Sequence, residues 1–241
     1  MEPASKQTVA LVSGGVRGLG LATARLLAES GMQVHITYCS SSDRAAKLEA
    51  EFPGRVHQVD LVQPDGAVRL TEQIQTMDGR LDAVVHSVGK YGTGGASDAV
   101  LLARMWQSNV VTTMNVADAT RGSIEASAGS MVFFGCAGLA GLGPRKNSAA
   151  YAAAKSALLV LTKSLATELA PSGARVNMIS PGLIPHDAAH AGTLEPELLA
   201  KIPMGRPGLP NEVAAAAAFL TSNAASYITG ADIPVSGGWM I

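Results

Sequence analysis

The chain reads as an α/β protein: one domain holding a doubly wound parallel sheet, with helices on both faces. Three observations predict this. Short apolar runs alternate with longer helix-patterned segments along all 241 residues, which is the signature of successive βαβ units. Hydrophobic residues make up 47% of the chain, yet aromatic residues only 4%, so small apolar side chains dominate, as close packing of helices on a parallel sheet requires. No repeat, linker or break in composition divides the chain, and a globule of this length buries roughly 70–75% of its unfolded surface without help from a metal or disulfide.

The elements follow in order. Residues 8–12 form an apolar run that ends at a Ser-Gly-Gly turn. Residues 18–30 have helical periodicity and stop at Gly31, a helix C-terminal signal. Residues 33–38 read as a strand. Residues 43–51 read as a helix with Asp43 as its N-cap. Residues 56–59 are strand-like, 65–77 helical and 82–86 strand-like, and the glycine-rich residues 89–95 are expected to form a mobile loop. Residues 97–120 read as one long helix, 130–134 as a strand, and the Ala-rich 151–169 as a helix ending before Pro171. Residues 175–179 read as a strand closed by Ser180-Pro181-Gly182. Residues 212–220 are a further Ala-rich helix and 233–235 a last short strand.

The turn between the first strand and first helix reads SGGVRGLG, from Ser13 to Gly20. In that context it predicts a dinucleotide site on a Rossmann-type sheet. Gly14 allows a sharp turn, and Gly18 and Gly20, flanking Leu19, let backbone approach a pyrophosphate. The helix start then turns its unpaired amides and dipole toward the anion. Sites for NAD usually place an acid at the end of the second strand. Here Tyr38, Cys39, Ser40 and Ser41 stand there, so nothing repels a 2′-phosphate, and Arg17 is available as its positive partner. NADP(H) is the expected cofactor.

Tyr151 and Lys155 lie four residues apart, on one face of a helix. A free phenol titrates at about 10; a nearby ammonium is expected to lower that value and ready the phenol for proton transfer beside a hydride acceptor.

With these residues in view, nearly the whole chain resembles the short-chain dehydrogenase/reductase family, most of all its 3-oxoacyl-carrier-protein-reductase-like and pteridine-reductase-like members. The resemblance implies that Tyr151, Lys155 and Asn109 are catalytic, with Lys155 also holding the nicotinamide ribose and Asn109 helping to hold a water near the lysine. It implies that Asp60, with Leu61, meets the adenine. It also implies cofactor contacts for Ser87 and Gly89 after the fourth strand, and for Pro181, Gly182 and Ile184 toward the nicotinamide. A homotetramer is implied as well.

Three departures from the family pattern stand out. Where the family carries a substrate-polarising serine, this chain reads Phe134-Gly135-Cys136-Ala137-Gly138. Gly135 is expected in the serine's place; a Cys136 thiol is a weak donor, and Ser148 is an alternative substitute. The family's Asn-Asn-Ala-Gly is here His86-Ser87-Val88-Gly89, with His86 expected to be a packed, hydrogen-bonded residue. The usual threonine after the Pro-Gly turn is replaced near His186. His186 and His190 with Asp187 suggest a metal, but a third ligand is missing, so no metal is expected. The residues from 182 to 204 are expected to cover the substrate.

Composition excludes some classes. A net charge of −1 offers nothing to nucleic acid. Cys39 and Cys136 fit neither a disulfide framework nor zinc spacing. No apolar stretch approaches the roughly 20 residues of a membrane span, and residues 1–7 do not resemble a signal peptide. The expectation is a cytoplasmic reductase acting on a carbonyl or imine of a small molecule. The alternative is an NADP(H)-binding sensor or scaffold with weak or lost catalysis.

Overall fold

The computed structural model describes residues 7–141, 143–185 and 196–240. Seven strands form one sheet: β1 (Val9–Ser13), β2 (Gln33–Tyr38), β3 (Val56–Gln58), β4 (Ala83–His86), β5 (Ser130–Phe134), β6 (Arg175–Pro181) and β7 (Asp232–Val235). Their order is β3-β2-β1-β4-β5-β6-β7, and every pairing is parallel. The helices are α1 (Gly18–Glu29), α2 (Ser42–Leu48), α3 (Pro64–Asp78), α4 (Ala99–Trp106), α5 (Thr112–Ser127), α6 (Ala149–Leu169), the short α7 (Pro196–Leu199) and α8 (Pro210–Thr221).

Alternation along each strand divides the core in two. Val9 and Leu11 of β1 face one layer with Leu70 and Ile74 of α3, Ile124 of α5 and Leu158 of α6. Ala10 and Val12 face the other with Ala24 and Leu27 of α1, Leu48 of α2, and Val213 and Ala217 of α8. Both faces are covered, so β1, β5 and β6 are buried along their whole length. The small residues of α1 and α8 let these two helices pack against each other closely, with Ala24, Ala214 and Ala217 fully buried.

Strand order reverses at β1, which has β2 on one side and β4 on the other. A crevice forms at such a switch point, beyond the carboxyl ends of the strands. The segments leaving β1, β4, β5 and β6 all emerge along that edge, and they contain most of the residues singled out above.

Three expectations are corrected. The predicted long helix is interrupted by a π-helical segment, Gln107–Val111, between α4 and α5. Such segments absorb an extra residue in the helical ladder and leave no hydrophobic signature. Helix α4 begins after Asp98, whose side chain caps Leu101 N at 2.8 Å. At α2 the N-cap is Ser41, not Asp43; Asp43 sits in the first turn, where its charge still favours the helix dipole. Strand β6 runs through Ser180 and Pro181 rather than closing before them.

Candidate functional site

The glycine turn leaves β1 under tight constraint. Gly14 has φ +76 and Gly18 φ +53, a left-handed region open to glycine at little cost. Gly14 N donates to Thr37 Oγ1 at 3.1 Å, tying the turn to β2. The Ser87 hydroxyl, just past β4, donates to Ser13 O at 2.8 Å. A Cβ at Gly20 would collide with Ser87 Oγ and the Gly14 carbonyl, inside the turn, so Gly20 lets α1 pack closely onto the turn. The α1 N-terminus has no side-chain cap and no acid in its first turn. Its first amides are therefore available to an anion, which fits a pyrophosphate. Arg17 is exposed at the N-cap of α1. At the end of β2, Tyr38 is half-buried, Ser40 is exposed and Ser41 is half-buried.

Asp60 is exposed and accepts Val62 N at 3.0 Å, forming a local turn. Leu61 places its side chain in the core, and its carbonyl accepts Asn115 Nδ2 at 3.0 Å. Ser13 is buried with its hydroxyl 2.7 Å from His86 Nδ1, and His86 Nε2 lies 3.2 Å from Thr112 Oγ1. Burial drops the His86 pKa to about 3. His86 is therefore a neutral structural link between β1, β4 and α5, as expected. Pro181 is buried at the end of β6, and Gly182 N donates to Val235 O at 2.9 Å. Ile184 packs against the second core layer. His186, Asp187 and His190 lie outside the described residues. Among the described residues no group of metal-ligating side chains forms a site.

Tyr151 and Lys155 stand on the first turns of α6. The Lys155 ammonium is buried, donates to Phe134 O at 2.6 Å and lies 5.8 Å from the Tyr151 ring centroid. Burial lowers its pKa to about 8. The expectation that the ammonium lowers the phenol's pKa is not met by the chain alone. Burial pushes Tyr151 well up from its ordinary value, and neighbouring Cys136 and Tyr91 add to the shift. With its proton directed to the end of β5, the lysine does not offset the loss of solvent around the phenol.

Asn109 lies at the centre of the π segment and is fully buried. Its Nδ2 donates to Lys90 O at 3.0 Å and to Met105 O at 2.9 Å, while its Oδ1 is buried without a partner among the described residues. A Cβ on Gly89 would sit 2.5 Å from Asn109 Oδ1 and 3.5 Å from Lys155 Nζ. Gly89 thus brings the backbone against the amide and the ammonium with no side chain between them.

Packing sets the surroundings of position 135. A side chain on Gly135 would run into Ser180 Oγ and Met178 Sδ, at 2.5 and 2.8 Å, on the β6 side. Cys136, the next residue, interacts electrostatically with both Tyr151 and Lys155. The neighbour of the pair is thus a half-buried thiol, held by burial above its usual pKa. Ser148 occupies the α6 N-cap without capping it through its side chain. Sequence reasoning missed Tyr91, whose ring packs edge-on against Tyr151 with centroids 5.1 Å apart. It also missed Thr37, which holds the glycine turn. Neither carries a local sequence signal, because both contacts join distant segments.

Residues 14–240 match the family described as Enoyl-(Acyl carrier protein) reductase. The chain is 34% identical to the 3-oxoacyl-[acyl-carrier-protein] reductase FabG of Chlamydia trachomatis, over 95% of this chain and 96% of that one. It is 35% identical to Protein FixR of Bradyrhizobium diazoefficiens, over 95% and 86%. Among solved structures it resembles a blue fluorescent protein from a metagenomic library in complex with NADPH, with TM-score 0.88, 31% identity, and coverage of 97% and 98%. It also resembles a short-chain dehydrogenase/reductase of Serratia marcescens, with TM-score 0.89, 30% identity, and coverage of 99% and 100%.

Proposed function

The chain belongs to the short-chain dehydrogenase/reductase family, and on that premise we propose that it is an NADPH-dependent reductase acting on the carbonyl or imine of a small molecule. The observation that carries this reading is that Tyr151, buried Lys155 and the Asn109 Oδ1 come together near Gly89, at the carboxyl edge of the sheet from which the glycine turn also leaves. The uncapped α1 supports a dinucleotide pyrophosphate, and the carboxylate-free end of β2 supports NADPH over NADH, with Arg17 as partner of the 2′-phosphate. The NADPH complex of a similar structure points the same way.

When bound, the dinucleotide supplies hydride to the substrate carbon. The Tyr151 hydroxyl gives its proton to the oxygen or nitrogen that gains charge. A phenol that holds its proton this firmly is a proton store until charge develops beside it, and only then does transfer become favourable. Lys155 places a buried positive charge next to the phenolate that remains. Asn109 fixes the Lys90 carbonyl and so the loop over the pair. Apolar side chains left open on α4 and α6, Val100 at 72% and Val160 at 63%, fit self-association of the chain.

A second reading, a dinucleotide-binding sensor with little turnover, draws on the thiol at position 136, a poor hydrogen-bond donor. Single-turnover oxidation of NADPH against ketones, quinones and dihydropterins separates the two. The reductase reading predicts turnover that falls at least a hundredfold in Tyr151→Phe while NADPH affinity holds. No oxidation of bound NADPH by any of these substrates favours the sensor.

A further inference from the structure

We propose that Tyr91 is the stacking platform of the substrate site and selects planar, conjugated substrates over saturated ones; this deepens the reductase reading and rests on it. Tyr91 lies in the loop after β4, whose glycines were expected to make it mobile. The structure pins the backbone on both sides of it instead. Lys90 O accepts Asn109 Nδ2 at 3.0 Å, and Gly94 N donates to Asn147 O at 3.0 Å. Gly92 and Gly94 are pressed against Leu101 and Met105 of α4, where a Cβ would lie 2.8 and 2.7 Å from the Leu101 methyls. The loop is seated on α4, and the ring it presents is held in place.

That ring meets Tyr151 edge-on, at an interplanar angle of 77°, yet 67% of Tyr91 stays open to solvent. A large aromatic side chain held rigidly and left open beside a proton donor is a ready surface for a flat ligand, since offset or edge contacts between π systems add attraction beyond buried area. The other neighbour of the phenol supports the same class. Cys136 offers only a weak hydrogen bond to a developing oxyanion. A conjugated ring spreads that charge over its own atoms and needs such a donor less than an isolated ketone does. Contact on the ring face and weak polarisation at the oxygen both favour the same substrates.

The test compares wild type, Tyr91→Phe and Tyr91→Ala with NADPH, using phenanthrenequinone as the planar probe and cyclohexanone as the saturated one. The ratio of their kcat/KM values is expected to fall about tenfold in Tyr91→Ala and to stay near wild type in Tyr91→Phe, which keeps the ring. A second readout needs no turnover. Quenching of tryptophan fluorescence in the NADP+-saturated protein reports affinity for phenanthrenequinone, expected to weaken about tenfold in Tyr91→Ala only. Quinone binding that depends on Tyr91, in a protein that turns over neither probe, would overturn the reductase reading and leave the platform standing. Equal affinity and an equal ratio in wild type and Tyr91→Ala would overturn the platform.

Discussion

Beside the phenol of Tyr151 this chain carries sulfur at Cys136, and the choice of atom has a kinetic consequence. A thiol polarises a substrate oxygen poorly, whereas losing a good oxyanion donor costs about 10²–10³ in rate. Cys136→Ser should therefore raise kcat on simple ketones by about tenfold or more, since the hydroxyl would stand where the thiol interacts with the pair. Steady-state rates on cyclohexanone check this; an unchanged or lower kcat would show that position 136 does not reach the reacting oxygen. Lys155 sets a limit on pH. Its pKa is lowered to about 8, so the ammonium is present below that value and lost above it. Activity that depends on its charge should fall as pH rises through about 8. The pH profile of kcat/KM for NADPH reports groups of the free enzyme. A descending limb that appears only above about 10, the ordinary range for lysine, would contradict the burial argument.

Between α1 and the glycine turn, one methyl group decides the outcome. Alanine is normally favoured over glycine inside a helix by about 1 kcal/mol. At Gly20 that gain is overwhelmed, because the added Cβ would overlap the Gly14 carbonyl and Ser87 Oγ. Gly20→Ala should lower the thermal midpoint and weaken NADPH binding at least tenfold, by forcing the turn away from α1. Gly95→Ala, where a Cβ meets nothing within 4 Å, is the matched control and should change neither. Calorimetry and a dinucleotide titration give both values, and a Gly20→Ala protein as stable as wild type would refute the packing argument. The glycine pattern was readable in the sequence, but its reason was not, since Gly20 answers to a residue more than sixty positions away. The same contrast runs through the fold. Strand β5 was legible to the residue because burial on both faces gives an apolar run bounded by turns, and β2 because β-branched and aromatic residues fill it between two turns. The pair on α6 was legible because helical spacing is local. The π segment around Asn109, the Cys136 orientation and the Tyr91 contact were not, because each depends on how distant segments meet.

Across the whole molecule, buried histidines tie stability to pH. His35 of β2 is fully buried, its Nδ1 2.8 Å from His57 Nε2 and its Nε2 2.6 Å from Asp78 Oδ2. Arg55 meets the other Asp78 oxygen at 2.9 Å. Desolvation lowers the His35 pKa despite the carboxylate, and lowers His57 to about 4; on the far side of β1, His86 falls to about 3. The sign follows directly. A histidine with a folded pKa below its unfolded value of about 6.5 binds its proton more readily when unfolded. Its stabilising effect is complete above about 6.5 and is lost as pH falls toward the folded value. Asp78, held low by His35 and Arg55, acts in the same direction at still lower pH. Each such histidine contributes a slope of up to about 1.4 kcal/mol per pH unit. Urea unfolding should therefore show stability falling steeply between about pH 6.5 and 4.5. His57→Gln keeps a hydrogen-bonding side chain without a titrating ring, and should flatten that slope by about one proton. Flat stability across this range in wild type would mean that these rings gain their protons without leaving the folded state. The three histidines, as neutral rings, link β1, β2, β3, β4, α3 and α5 through hydrogen bonds, so their protonation acts on the sheet that carries the glycine turn. Loss of NADPH binding in acid should accordingly track unfolding, rather than precede it.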